Sequence, residues 1–234
     1  MKKGQIGSTV IFYILIVCIF VSATYLGSVT TTVVADLIPV ERTYTIIIDA
    51  GHGGVDGGAT SCTGVLESQI NLEIALVLND LLKLLGYDTR MIRTMDCSVY
   101  TEGETIAAKK VSDLKERVRI VNETENAVLL SIHQNTFPDN RYSGAQIFYG
   151  SSGDSKALAD AMQTAMIQTL NPGSRRTSKR ADGIYLMEHI DCTGILIECG
   201  FLSNPAEEAM LRSKDYQKQL CCVIAATATN FLDQ

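Results

Sequence analysis

Four side chains that can bind a metal or move a proton stand at or near the ends of apolar segments. They are His52, Glu67, His133 and Glu198, in the segments IIIDAGHGG, GVLESQINLEIA, VLLSIHQN and ILIECGFLSNP. Two neutral imidazoles and one carboxylate form a three-ligand zinc site with an open fourth position, and the remaining carboxylate can then accept a proton. These residue types predict a zinc centre with a neighbouring base, and they leave the roles of the two glutamates open.

Both histidines and Glu198 come at, or a few residues after, the end of a predicted strand. In open α/β sheets, ligands bind in the crevice outside the carboxyl ends of the strands, so side chains from distant segments converge there. Glu67 stands on a loop that returns to the same edge, just before the first long predicted helix. The three predicted strands are 45–48, 127–132 and 194–197.

The other segments alternate between helical and extended patterns, which indicates an α/β fold around a mostly parallel sheet. We expect one domain, since 234 residues with 46% hydrophobic residues suffice for a single well-packed core. We expect residues 174–182 to form a basic loop. The remaining predicted strands are 87–92 and 145–149, and the predicted helices are 70–85, 107–121, 155–170, one starting at Asn204-Pro205, and 215–232.

The first 27 residues have the pattern of an export signal. Lys2 and Lys3 precede an uncharged apolar run from Val10 to about Leu26, which is at the lower edge of the length that spans a bilayer as a helix. We therefore expect an exported, extracytoplasmic protein, with residues 1–27 acting as an apolar helical anchor or a cleaved signal. Residues 28–44 read as a linker, and residues 45–234 as the catalytic domain.

Charge and motif details exclude several classes of partner. The formal net charge of −6 argues against nucleic-acid binding, which requires a basic face. The glycine-rich loop that contains His52 is a poor phosphate cradle, because Asp56 and Ala59 replace the glycine and lysine that the two phosphate motifs require. The basic residues Arg175, Arg176, Lys179 and Arg180 either meet carboxylates of a ligand or form a solvated loop.

The segments DAGHGGVDGGA, the one around Glu67, SIHQN and ECGFLSN resemble the zinc-dependent N-acetylmuramoyl-L-alanine amidases of the Amidase_3 type, from about Thr45 to Leu232. A single catalytic module behind one apolar segment is most similar to the spore-cortex, germination-specific group (CwlD type). Gln134 and Cys199 depart from the usual family pattern.

The resemblance implies a three-layer α/β/α sandwich and assigns the site residues. It implies that His52, Glu67 and His133 bind Zn2+ and that Glu198 is the catalytic carboxylate. The substrate would be the amide between N-acetylmuramic acid and L-alanine in peptidoglycan, cleaved during spore-cortex maturation with muramic lactam formation or during wall remodelling. The location would be the forespore or cell-wall space, and an accessory cell-envelope protein is an expected partner.

Two other functions remain open from the sequence. One is a Cys–His hydrolase that uses Cys199 or Cys192 with His189 or His133. The other is a catalytically inactive exported module that binds peptidoglycan.

Overall fold

A computed structural model describes residues 21–22 and 43–234. The predicted anchor (1–27) and linker (28–44) lie almost entirely outside these residues, so both stay predictions. From Arg42 to Gln234 the chain forms one compact unit. Within the part that the structure describes, no helix combines the length and the apolar character needed to cross a membrane.

The centre of the molecule is a six-stranded sheet with the strand order β2-β1-β3-β6-β4-β5. All neighbouring strands are parallel except β4 and β6, which confirms the predicted mostly parallel sheet. The strands are β1 (Thr45–Ala50), β2 (Asp88–Met91), β3 (Ala127–Asn135), β4 (Gln146–Tyr149), β5 (Lys179–Arg180) and β6 (Thr193–Phe201).

Helices cover both faces of the sheet, as a parallel sheet requires. One apolar cluster joins one face to α1, α3 and α6, and a second joins the other face to α2 and α4. Successive residues of β1 alternate between them, with Ile46 and Ile48 in the first cluster and Ile47 in the second. This is the predicted three-layer α/β/α sandwich. The helices are α1 (Glu67–Leu84), α2 (Ile106–Asn122), α3 (Ser155–Thr169), α4 (Tyr185–His189), α5 (Pro205–Leu211) and α6 (Lys214–Leu232).

Three predicted strand ends were wrong. Strand β1 continues two residues beyond the predicted end, to Ala50. Strand β3 continues through His133 to Asn135, and β6 continues through Glu198 to Phe201. In each strand the run of apolar residues stops where polar side chains begin, but the backbone hydrogen bonds to the neighbouring strands continue. A strand can present functional side chains on one face while its backbone amides stay paired. His133 and Glu198 are therefore register partners inside the sheet.

Two short elements were not predicted. Strand β5 lies inside the predicted basic loop 174–182, and α4 follows soon after it. The strand consists of two exposed basic residues, which have no strand propensity, and the helix is too short to show a helical period. Both lie away from the predicted metal ligands in the sequence.

Candidate metal centre

His52, Glu67 and His133 meet at one point, as the sequence predicted. Each offers a ligand atom, and these atoms all lie within 4.8 Å of one another. His52 Nε2 lies 3.3 Å from Glu67 Oε2, and His133 Nδ1 lies 3.0 Å from Glu67 Oε1. Two imidazoles and a carboxylate are a donor set that zinc accepts. The residues present therefore fit a zinc ion.

The loop after β1 presents His52 in an unusual backbone conformation. His52 has a φ of 61°, a left-handed value that is uncommon for a residue with a side chain. Such strain persists only where the surroundings hold it. At the preceding position, a Cβ on Gly51 would lie 2.2 Å from His133 Nε2, so only glycine lets the loop and β3 approach this closely.

Glu67 is the first residue of α1, not a loop residue before the helix as predicted, and three hydrogen-bond donors besides the histidines fix its carboxylate. Its Oε2 accepts from the backbone amide of Ala59 at 2.9 Å, and its Oε1 accepts from the amide of Gln134 at 3.1 Å and from Asn71 Nδ2 at 3.2 Å. Burial raises the pKa of Glu67, but the hydrogen bonds and charges of both histidines outweigh it and hold that pKa well below its usual value. Gln134, one departure from the family pattern, contacts Glu67 through its backbone amide.

Asp56 and Lys110 orient the imidazole of His52 on the side of its Nδ1 atom. His52 Nδ1 lies 2.9 Å from Asp56 Oδ2, and Asp56 Oδ1 pairs with Lys110 Nζ at 2.7 Å. Burial lowers the pKa of His52, but hydrogen bonds and charges of Glu67 and Asp56 raise it to about 9. A carboxylate on Nδ1 leaves Nε2 free to face a metal. The sequence analysis did not assign this role to Asp56 or Lys110.

Glu198 lies beside the three candidate ligands but is not part of their cluster. Its Cα pairs with that of His133 across β3 and β6, and its Oε2 is buried without a hydrogen-bond partner among the described residues. Burial is the largest cause that raises the pKa of Glu198, and with the charge of Glu67 it brings the value to about 7 against the lowering effect of both histidines. A carboxylate with a pKa near neutrality can both take and return a proton.

Two buried arginines hold the loop that carries His52. Sequence reasoning did not predict either of them. Arg117 of α2 pairs with Asp49 and Asp113 and donates to the carbonyl oxygen of His52 at 2.7 Å. Arg93 donates to the carbonyl oxygens of Ala50 and Gly51 at 2.8 and 3.0 Å. Their partners are mostly backbone carbonyls of a distant segment, which no sequence pattern reveals.

Replacing Arg117 with methionine is expected to destabilise the protein by about 3–5 kcal/mol, because Asp49 would be left as an unpaired buried charge. Burial raises the pKa of Asp49, and the charge of Arg117 counteracts this and holds that pKa below its usual value. Denaturant unfolding measures the change. Arg119→Met, on the exposed side of the same helix, is the matched control and should unfold like the wild type; equal loss in both variants would contradict the clamp.

Residues 46–230 match the family model for N-acetylmuramoyl-L-alanine amidase, Amidase_3. The chain belongs to this family of amidases. It is 38% identical over 181 residues to the germination-specific N-acetylmuramoyl-L-alanine amidase of Bacillus subtilis (strain 168), and the aligned region covers 76% of each chain. The enzyme class and the resemblance inferred from the sequence are thereby confirmed.

Solved structures agree with this assignment. The CwlD amidase from Clostridioides difficile, in complex with the GerS lipoprotein, has 36% identity and a TM-score of 0.77 and covers 81% of this chain and 98% of its own. An N-acetylmuramoyl-L-alanine amidase from Clostridium difficile 630 has 30% identity and a TM-score of 0.72 and covers 83% of this chain and 99% of its own. These two structures share the fold of this amidase.

A cleft of about 170 Å³ opens beside the three candidate ligands of the amidase. The residues that line it include His52, His133, Lys110, Leu114 and Leu186. The cleft therefore combines apolar side chains with the two imidazoles and with Lys110, whose ammonium group is paired with Asp56.

Cys192 and Cys199, the two cysteines considered as nucleophiles from the sequence, lack the features of one. Burial raises the pKa of the Cys199 thiol well above its ordinary value, and burial raises that of Cys192 to about 11. A reactive cysteine needs a lowered pKa, because the thiolate is the nucleophile. His189 is exposed and stacks on Tyr185. These observations argue against the Cys–His alternative.

Proposed function

We propose that this amidase uses zinc to hydrolyse the amide between N-acetylmuramic acid and L-alanine in peptidoglycan. His52, Glu67 and His133 hold the metal, and Glu198 is the catalytic carboxylate. The observation that carries the proposal is the convergence of three ligand atoms within 4.8 Å, next to a strand whose Glu198 oxygen is buried and unpartnered. The same arrangement disfavours a catalytically inactive binding module, since the three proposed ligands lie together and the proposed base is beside them.

When bound, zinc supplies Lewis acidity, which acidifies water and polarises a carbonyl oxygen. Glu198 accepts the proton of the attacking water at its free oxygen and then donates it to the leaving amine of L-alanine. Asp56 and Lys110 hold the imidazole of His52 in one tautomer and orientation. Arg93 and Arg117 hold the strained loop, so that the ligands are in position before the substrate arrives.

The relatives and the N-terminal sequence support a proposed biological setting. The germination-specific relative supports a role in spore-cortex maturation, with muramic lactam formation as the outcome. The solved complex of CwlD with a lipoprotein supports an accessory envelope protein as a partner of this chain. Lys2, Lys3 and the apolar run support export, with attachment to the membrane or secretion into the forespore or cell-wall space.

Zinc-loaded full-length protein incubated with peptidoglycan should release new L-alanine amino termini without new reducing sugars. Amino-terminal labelling and a reducing-sugar assay of the same digest make the distinction. New reducing ends would indicate a glycosidase instead. Binding without either product would indicate an inactive module, and activity that survives metal removal but not thiol alkylation would indicate a Cys–His hydrolase.

A further inference from the structure

Three aromatic rings form a contiguous group at the ends of β3 and β6. Phe137 and Tyr142 have ring centroids 4.5 Å apart, and the ring of Tyr142 lies 6.1 Å from that of Phe201. Phe137 and Tyr142 are each 46% exposed, whereas Phe201 is buried. We call these three residues the aromatic platform. Two large aromatic side chains left half in water next to a candidate active site are available for a ligand.

The backbone around the platform is held in place by side chains. Ser203 Oγ accepts from the amide of Phe137 at 3.1 Å, and Asn204 Nδ2 donates to the carbonyl of Tyr142 at 3.2 Å. The buried carboxylate of Glu207 accepts from the amide of Phe201 at 2.8 Å. The rings are therefore positioned in advance, which lowers the entropy cost of binding.

Polar and charged groups surround the exposed rings. The guanidinium of Arg176 lies 5.2 Å over the ring of Phe201 and donates to the carbonyl of Ser143 at 3.1 Å. Arg141 pairs with Asp139 at 2.7 Å. Together with Tyr142, these groups line a shallow groove of about 400 Å³. Apolar ring faces next to planar hydrogen-bonding groups match a pyranose, which has a C–H face and a rim of hydroxyl groups.

The platform lies at a distance from Glu198 that suits the glycan part of the substrate. Phe201 follows Glu198 by three residues on β6, but a register shift places it opposite Asn135, which is only two residues beyond His133 on β3. The Cα atoms of Glu198 and Phe201 are therefore about 7 Å apart, the rise of two extended residues. Gln146 connects the two places, because it pairs with Glu198 across β4 and β6 and its Oε1 accepts from Arg176 at 3.4 Å. That separation is on the scale of one sugar residue.

We propose that the aromatic platform is a subsite for the glycan strand, on the muramic acid side of the scissile amide. Tyr142, which lines the groove, stacks on a sugar next to the muramic acid that carries the cleaved peptide, and Phe137 supports its ring from the side. Arg176 and the Arg141–Asp139 pair bind the hydroxyl groups of that sugar. The inference rests on the proposed amidase function. It adds the neighbouring sugar of the glycan strand as the part of the substrate that strengthens binding.

Kinetics on two substrates test the subsite. One is a muropeptide with a single N-acetylmuramic acid and a stem peptide, and the other is a soluble glycan strand that carries the same peptide. Phe137→Ala and Tyr142→Ala should each raise KM for the strand by about tenfold, and by much less for the single-sugar substrate, with kcat on the strand little changed. Tyr142→Phe keeps the aromatic ring, so its KM for the strand should equal that of the wild type.

Leu84→Ala is the matched control, since Leu84 is 83% exposed at the end of α1 and its loss should change neither KM. Equal effects on both substrates, or no effect on the strand, would overturn the glycan subsite and leave the platform as a surface for a protein partner. If the wild type cleaves neither substrate, the proposed function fails; if it cleaves both and only the variants behave unexpectedly, the subsite alone fails.

Discussion

Glu198→Gln is expected to lower kcat by about 10²–10⁴-fold while zinc stays bound, which is the size of effect that a general acid–base group contributes. The amide has nearly the same shape as the carboxylate but cannot take a proton from water. Glu198 is not one of the three clustered candidate ligands, so the metal should remain. Turnover and zinc content, measured on the same preparation, check both parts.

Glu123→Gln, at an exposed position after α2, is the control and should have wild-type kcat. A Glu198→Gln variant that turns over at the wild-type rate would remove Glu198 from its proposed role. A variant that loses its zinc would make Glu198 a ligand instead.

The same substitution has an effect on stability with a defined pH dependence. The pKa of Glu198 is about 7 in the folded metal-free protein and lies above its ordinary value of 4.5. Between these values the folded state binds more protons than the unfolded state, so this group's contribution to stability is lost as the pH rises. Thermal unfolding of the metal-free proteins should therefore show the stability of Glu198→Gln increasing relative to that of the wild type as the pH rises from about 4.5 to 7. A difference in stability that stays constant over this range would contradict the prediction.

Glu67→Gln is expected to have the opposite phenotype, with zinc and activity lost together. The carboxylate lies between the two imidazoles, at 3.3 Å from His52 Nε2 and 3.0 Å from His133 Nδ1, and a neutral amide cannot replace its charge there. Zinc affinity should fall by more than about 100-fold, the upper end of what changes outside the ligand set cause. Zinc binding by calorimetry and amidase activity give the two readouts.

Glu73→Gln lies on the same helix, in an exposed ion pair with Lys214, and should bind zinc like the wild type. If Glu67→Gln kept its zinc and Glu198→Gln lost it, the roles that the family resemblance assigned to the two glutamates would be exchanged. The pair of variants therefore separates a metal ligand from a base by two independent measurements.

The sequence predicted the layered fold and the meeting of His52, Glu67 and His133 because both follow from strand topology. Parallel strands bring their carboxyl ends to one edge, so residues at these ends approach each other whatever their sequence separation. The strand lengths were not predictable in the same way. His133 and Glu198 are polar residues that interrupt an apolar pattern, yet their backbone amides remain in the ladder.

The residues that support the site were out of reach for sequence reasoning. Arg93 and Arg117 act through backbone carbonyls of the loop after β1, and Lys110 acts through Asp56. Each contact joins segments that are distant along the chain, and an arginine on an amphipathic helix is normally a solvated residue. No sequence pattern predicted the aromatic platform either, because Tyr142, in the loop between β3 and β4, meets Phe201 only after both strands pair with β6.

Zinc titrated into chelator-stripped full-length protein provides the most direct test of a metal centre built from His52, Glu67 and His133. Amidase activity should be absent from the stripped protein, rise in proportion to bound zinc and saturate at one ion per chain. Full activity in the stripped protein, or zinc that binds with equal affinity after Glu67→Gln, would contradict the metal centre and the function proposed from it.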